Sequence, residues 1–340
     1  MKVSIQSIIR VFLALVLIVV MTGGLVVVRR AAIRVADFPA QTAQQEVTIE
    51  IPAGASGDVI AKSLFVAKVV ASAESFYRLA VQDPRAATIA PGLHQIQRHI
   101  PATVALTQLL DPKRIPNLVI VKEGAWRSEV ITALISRGFI RSEVEKALKV
   151  VKVPKGFTSV EGIYFPAQYS FPTGTTALSA LQTMIDRFAV EAKTTGLSTS
   201  SGKFTSAQLL TIASIAQAEG DLGDFPKITR VIFNRLKIGM PLQMDTTVHY
   251  IKKSRGRIFL SLTSTKIDSP YNTYLHYGLP PTPIGNPGRA AIEAALNPAA
   301  GEWTFFITVK PGDTRFTSSA SEFNNWKNEY EKNAKAGIFK

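Results

Sequence analysis

"NLVIVKEGAWRSEVITALISRGFIRSEVEKAL", Asn117 to Leu148, changes its apolar period part-way along. Val119 and Val121 alternate, as on a strand; Gly124 marks a turn; Val130 and Leu134 then recur at helical spacing. Ile140 starts a further apolar step, and Ser142 can cap a second short helix. The stretch therefore predicts strand, glycine turn, helix, turn, helix. The same pattern stands 70 positions upstream in "VTIEIPAGASGDVIAKSLFVAKVVASAESF", Val47 to Phe76, where Ile49, Ile51, Gly54, Ile60, Leu64, Val70 and Ser72 take the matching places. Two copies are too few for a solenoid, so the expectation is an α+β module of two similar halves over residues 47–154.

The rest of the chain bounds the function class. It has 340 residues, 46% of them hydrophobic, enough for one large or two modest domains. Cysteine is absent, which removes disulfides and thiolate chemistry, and the four histidines lack metal-ligand spacing, so no metal and no cofactor are expected. The net charge of +14 favours an anionic partner: nucleic acid, lipid or a wall polymer. Val11 to Val28, "VFLALVLIVVMTGGLVVV", carries no charge and approaches the length that crosses a bilayer. No A-x-A-like cleavage site follows closely, so a retained N-terminal transmembrane helix is expected, with residues 1–34 as tail and anchor and 35–46 as linker. Lys2 and Arg10 before the span and Arg29, Arg30 and Arg34 after it leave the positive-inside rule without a vote. No aromatic-basic stripe reads bases, so nucleic acid is not an expected partner.

Beyond "VPKGF", Val153 to Phe157, the texture becomes helix and loop. Helices are expected from Thr176 to Phe188, from Ser206 to Gly220, after Asp224 and Pro226, and from Pro287 to Asn297. Residues 239–288 read as loop, dense in Pro, Gly, Tyr and Asn. A strand pair flanks "KPGDT" and a polar helix from Ser321 ends the chain. On the helix opened by Ser206 the apolar stripe runs through Leu209, Ile212, Ala213, Ile215 and Ala216, and Glu219 continues it. Burial and the negative end of the helix dipole both disfavour its anion, which suits a general acid. A solvated glutamate at a frayed helix end fits the same periodicity.

Three longer blocks carry a resemblance. "ASIAQAEG" (Ala213 to Gly220), "VIFNRLKIGMPLQMDTTVHY" (Val231 to Tyr250) and "SPYNTYLHYGLPPTPIGNPGRAAIEAALNP" (Ser269 to Pro298) resemble the MltG/YceG-like family of endolytic murein transglycosylases. "EGIYFPAQYSF", Glu161 to Phe171, resembles a further block, and the glycine-turn module looks LysM-like. The resemblance implies a lyase, lytic on peptidoglycan, with residues 155–340 as its catalytic domain, carrying a small β-sheet. It would cut nascent glycan strands to leave a 1,6-anhydro-N-acetylmuramic acid end. The family's catalytic glutamate falls on Glu219. Substrate-binding candidates are Glu161, Asn234, Gln243, Asp245, Tyr271, Asn272 and Tyr274. For Asp245 an Asx-turn role, for Asn234 helix packing and for Glu161 loop fixing stand beside the substrate reading. Many members have a second glutamate where this chain has Gln217, Asp-Pro-Thr where it has Asp245-Thr246-Thr247, and Glu-His where it has Glu322-Phe323.

The implied protein is a single-pass plasma-membrane enzyme with its body outside the cytoplasm, whose partners are glycan strands and peptidoglycan synthases. A hydrolytic muramidase that uses Asp245 as base, and a wall-binding scaffold without activity, are the rival readings.

Overall fold

The computed structural model describes residues 16, 21–22, 35–40, 43–52, 54–172, 174–200, 202–255 and 260–339. Most of the expected anchor, Val11 to Val28, lies outside them, and no described helix is long and apolar enough to cross a membrane. The chain divides into two compact units, residues 1–116 and 117–340.

The first unit runs β1 (Glu46–Ile51), α1 (Gly57–Val66), α2 (Ala73–Gln82), β2 (Gly92–Gln97) and α3 (Ala102–Leu110). β1 and β2 pair antiparallel, Glu46 opposite Gln97 and Ile51 opposite Gly92. Ile49 and Ile51 point inward on alternate positions and meet Ile60 and Leu64 of α1 and Phe76 of α2, as the pattern requires. Ser72 caps α2, its hydroxyl accepting the Ser75 N–H at 3.1 Å.

The second unit opens on the same order: β3 (Leu118–Val121), α4 (Arg127–Ile135), α5 (Arg141–Ala147) and β4 (Ala167–Ser170). β3 and β4 are antiparallel, Leu118 opposite Ser170. The turn glycines match in backbone as well as position, Gly54 at φ +73 and Gly124 at φ +72, a left-handed conformation that favours glycine. Two details differ from expectation. Ile140, not Ser142, precedes α5, and Ser142 lies in its first turn. The boundary also moves. The expected module ended at residue 154, but its second half returns through β4, inside "EGIYFPAQYSF". The compact division therefore falls at 116/117, and the second half shares one core with the helices that follow.

Those elements are α6 (Ala177–Thr194), α7 (Ser206–Glu219), α8 (Phe225–Ile238), α9 (Asp245–Lys252), α10 (Arg289–Leu296), β5 (Phe305–Lys310), β6 (Asp313–Thr317) and α11 (Ala320–Lys335). The whole is a mixed α+β protein with three small two-stranded sheets among the described residues. α9 lies within the stretch expected to be loop. It has only eight residues, too short to declare a helical period.

α7 is the central helix. It packs on α8, α9 and α10, and every residue from Leu209 to Ala216 is buried, not just one stripe. Thr211 and Ser214 are buried without loss because their hydroxyls donate to the carbonyls of Ala207 and Thr211. Thr205, rather than Ser206, caps the start: its hydroxyl accepts the Gln208 N–H, and the Gln208 amide accepts the Thr205 N–H. The helix ends at Glu219 because Gly220 turns extended, at φ −149, not left-handed. Glycine is needed there for space, since a Cβ would lie 2.3 Å from Ile228 Cδ1 in the packed face of α8.

Candidate active site

The end of α7 meets the start of α9. Glu219 Oε1 accepts two hydrogen bonds from Thr246, from its N–H at 3.1 Å and from its hydroxyl at 2.6 Å. Both donors sit in the first turn of α9, where backbone N–H groups have no partner inside the helix. Oε2 accepts no hydrogen bond among the described residues and is not sealed from solvent. The side chain is half-buried. Desolvation pushes the Glu219 carboxyl up to about 7; Asp245 adds to the rise, and Thr246 and the Arg235 guanidinium oppose it. A group poised there is a serviceable proton donor and acceptor near neutral pH.

Asp245 precedes Thr246 and accepts a hydrogen bond from the Tyr274 hydroxyl. Burial and this carboxylate both raise the Tyr274 pKa. The backbone closes the same corner: the Gln243 N–H donates to Thr273 O at 3.0 Å, and the Met244 N–H to the Thr273 hydroxyl at 2.9 Å. Gln243 itself is exposed, at φ +48. On α8, Arg235 is buried and donates to the carbonyls of Thr304 and Leu242, so its charge reaches Glu219 from a fixed place.

One turn further along α9, Tyr250 donates its hydroxyl to Glu161 Oε2 at 2.8 Å. Glu161 Oε1 accepts the Arg127 N–H at the start of α4, also at 2.8 Å. Glu161 is buried, and burial raises its pKa against those two bonds. Tyr250, Trp126, Tyr271 and Glu161 line a cavity of 250 Å³ with Lys253 and Ser269. The Tyr250 and Tyr271 rings lie 5.1 Å apart. Residues four apart on a helix share a face, so Thr246 and Tyr250 direct Glu219 and Glu161 to one side of α9.

The structure brings together Glu219, Asp245 and Tyr274, and separately Glu161 and Tyr271. It sets two other candidates aside. Asn272 is fully buried; its amide donates to the carbonyls of Thr265 and Ile267 and accepts the Tyr274 N–H, so it holds the loop from within. Asn234 donates to the carbonyls of Gly301 and Trp303 at 3.1 and 2.8 Å, tying α8 to the chain before β5. Both corrections have one cause: an amide on a loop or helix reads alike in sequence whether it faces a ligand or backbone carbonyls.

Three residues escaped sequence reading. Thr246 stood out only as a departure from Asp-Pro-Thr. Gln217 registered only as an absent carboxylate, yet its amide oxygen accepts the Gly288 N–H at 2.9 Å at the start of α10. Asn286 gave no signal. It is fully buried, accepts the Tyr164 N–H at 2.8 Å and donates to Ala125 O at 2.6 Å, joining "EGIYF", the Gly124 turn and "PIGNPG".

A protein of Bacillus subtilis (strain 168) named endolytic murein transglycosylase is 29% identical over 307 residues, covering 84% of each chain. A protein of the same name from Streptococcus pneumoniae is 29% identical over 233 residues, 64% of this chain and 42% of that one. The crystal structure of a yceG-like protein from Listeria monocytogenes superposes with a TM-score of 0.56 at 25% identity, over 83% of this chain and 98% of that one. The family model described as YceG-like matches residues 49–329, most of both compact units, and the chain belongs to the YceG-like family.

Proposed function

We propose that this protein is an endolytic murein transglycosylase, with Glu219 as its acid and base. The supporting observation is the asymmetry of one carboxyl: Oε1 is held by Thr246, Oε2 has no partner among the described residues, and burial pushes the group up to about 7. In the reaction, the Oε2–H proton passes to the glycosidic oxygen as the C1–O bond of the muramic residue breaks. The 6-hydroxyl oxygen of that residue bonds to C1, and its proton returns to Oε2. No water is consumed, so the second carboxylate that an ordinary glycosidase needs has no required part. Asp245 and Tyr274 orient the sugar or answer its developing positive charge. Gln243, Glu161 and Tyr271 serve the glycan on either side; Asn234 and Asn272 serve the scaffold.

Two wider assignments accompany this reading. The first compact unit, with its strand–helix–helix–strand order, is a LysM-like module that positions glycan and performs no chemistry. Val11 to Val28 is a single-pass anchor, and the body lies outside the cytoplasm beside peptidoglycan synthases. A reporter active only in the cytoplasm, fused to the C-terminus, should stay silent; a strong signal from it reverses the topology.

The reaction predicts a pH profile. The first step needs Glu219 protonated, and its carboxyl sits at about 7, so kcat/KM on purified glycan strands should fall above roughly pH 7. Glu219 enters the second step as the anion left by the first, so it imposes no acid limb. The same digests should create no reducing ends. New reducing ends in step with cleavage would favour the muramidase reading, and wall binding without cleavage the scaffold.

A further inference from the structure

We infer that Thr246 is a positioning residue for Glu219: its N–H and hydroxyl hold Oε1 as an acceptor, so the transferable proton resides on Oε2. The inference deepens the proposed function and rests on Glu219 being the acid. The geometry is specific. Both donors of one residue converge on one oxygen, at 3.1 and 2.6 Å. The Thr246 hydroxyl makes no other hydrogen bond among the described residues. Were Oε1 protonated, that hydroxyl would have to accept from it, and its own proton would lose its acceptor. The backbone N–H cannot reverse at all, because it is only a donor. The neutral acid is thus stabilised with its proton on the oxygen that faces outward.

The same two bonds favour the anion, so they moderate the rise imposed by burial. They keep the carboxyl acidic enough to give up its proton and still basic enough to take one back. Other charged or titratable groups act on Glu219 from fixed positions: Asp245 beside Thr246 on α9, Arg235 on α8, and Tyr274 after it. None of them bonds to Thr246. A proline at this place would have neither the N–H nor the hydroxyl. Thr246 therefore adds two donors that a proline could not supply, and proline in the first turn of a helix is sterically acceptable.

A graded series tests this. Thr246→Ser keeps both donors, Thr246→Val keeps only the N–H, and Thr246→Pro removes both. kcat/KM is followed against pH on purified glycan strands, with Glu219→Gln as control and thermal melts to certify folding. A hydrogen bond to a charged group is strong enough to move a carboxyl by about one pH unit. The alkaline limb should therefore stay in place for Thr246→Ser, move up by about one unit for Thr246→Val, and move further for Thr246→Pro. A carboxyl-carbon NMR titration of Glu219 should give the same order without any assay of activity. If Thr246→Pro does not fold, Thr246→Val decides. Coincident profiles and titrations in folded variants, with Glu219→Gln inactive, overturn the role of Thr246 and leave Glu219 as the acid. Retained activity in Glu219→Gln overturns both.

Discussion

Glu219→Gln should abolish glycan cleavage while leaving the protein folded. Gln is nearly isosteric and can still accept from the Thr246 N–H and hydroxyl through its amide oxygen. It has no proton to give at Oε2. General acid–base catalysis contributes about 10²–10⁴-fold, and here one group makes both transfers, so the loss should reach or pass the upper end. Asp245→Asn should cost less, because Asp245 bonds to Tyr274 and would handle no proton in the reaction. The substitution should also reveal what the site costs the fold. The Glu219 carboxyl lies at about 7 against an ordinary 4.5, so the folded state holds a proton that the unfolded chain has released. Stability is therefore lost as pH rises from about 4.5 to 7, then levels off. Gln removes that loss. Urea melts should show Glu219→Gln gaining on the parent between pH 5 and 8, by at most about 3 kcal/mol for a half-buried group.

Asn286→Ala should be strongly destabilising. Its side chain is fully buried and joins Tyr164 N–H to Ala125 O. Truncation leaves the Tyr164 N–H buried without a partner, at about 1–3 kcal/mol before any cavity is counted, while Ala125 O still accepts the Asn286 backbone N–H. A loss of about 2–4 kcal/mol is expected, read as a lower urea midpoint with an unchanged slope. The damage would spread to the cleft because the backbone is tight there. A Cβ on Gly285 would lie 2.7 Å from the Gly124 backbone O. If Asn286→Ala melts within 1 kcal/mol of the parent, or roughly that, the segment does not depend on this amide.

Sequence and structure agree where the signal is local. Alternation at Ile49 and Ile51, the glycine turns at Gly54 and Gly124 and the Ser72 cap each involve neighbours in the chain, and each is found as expected. The repeat was legible only up to its second helix. The returning strand, Ala167–Ser170, is four residues long and follows an irregular connection, so its pairing with Leu118–Val121 could not be seen. The same limit governs the site. Glu219 continues an apolar helix, a pattern that a solvated glutamate at a frayed end fits as well, and the family resemblance singled it out. Its partner Thr246 lies on a different helix, and nothing in "LQMDTTV" tells which threonine turns toward α7. Asn272 misled for the converse reason: the sugar-binding look of "PYNTY" comes from residue types, while Asn272 is consumed by its own loop.

Glu219 should drive cleavage without water. This is tested most directly by digesting purified glycan strands in heavy-oxygen water and weighing the products, with parent and Glu219→Gln protein side by side. The expected products are anhydro-ended fragments that carry no heavy oxygen from the parent, and intact strands from the variant. Heavy oxygen at a new reducing end, or anhydro fragments from folded Glu219→Gln at more than about a tenth of the parent rate, would contradict that role for Glu219.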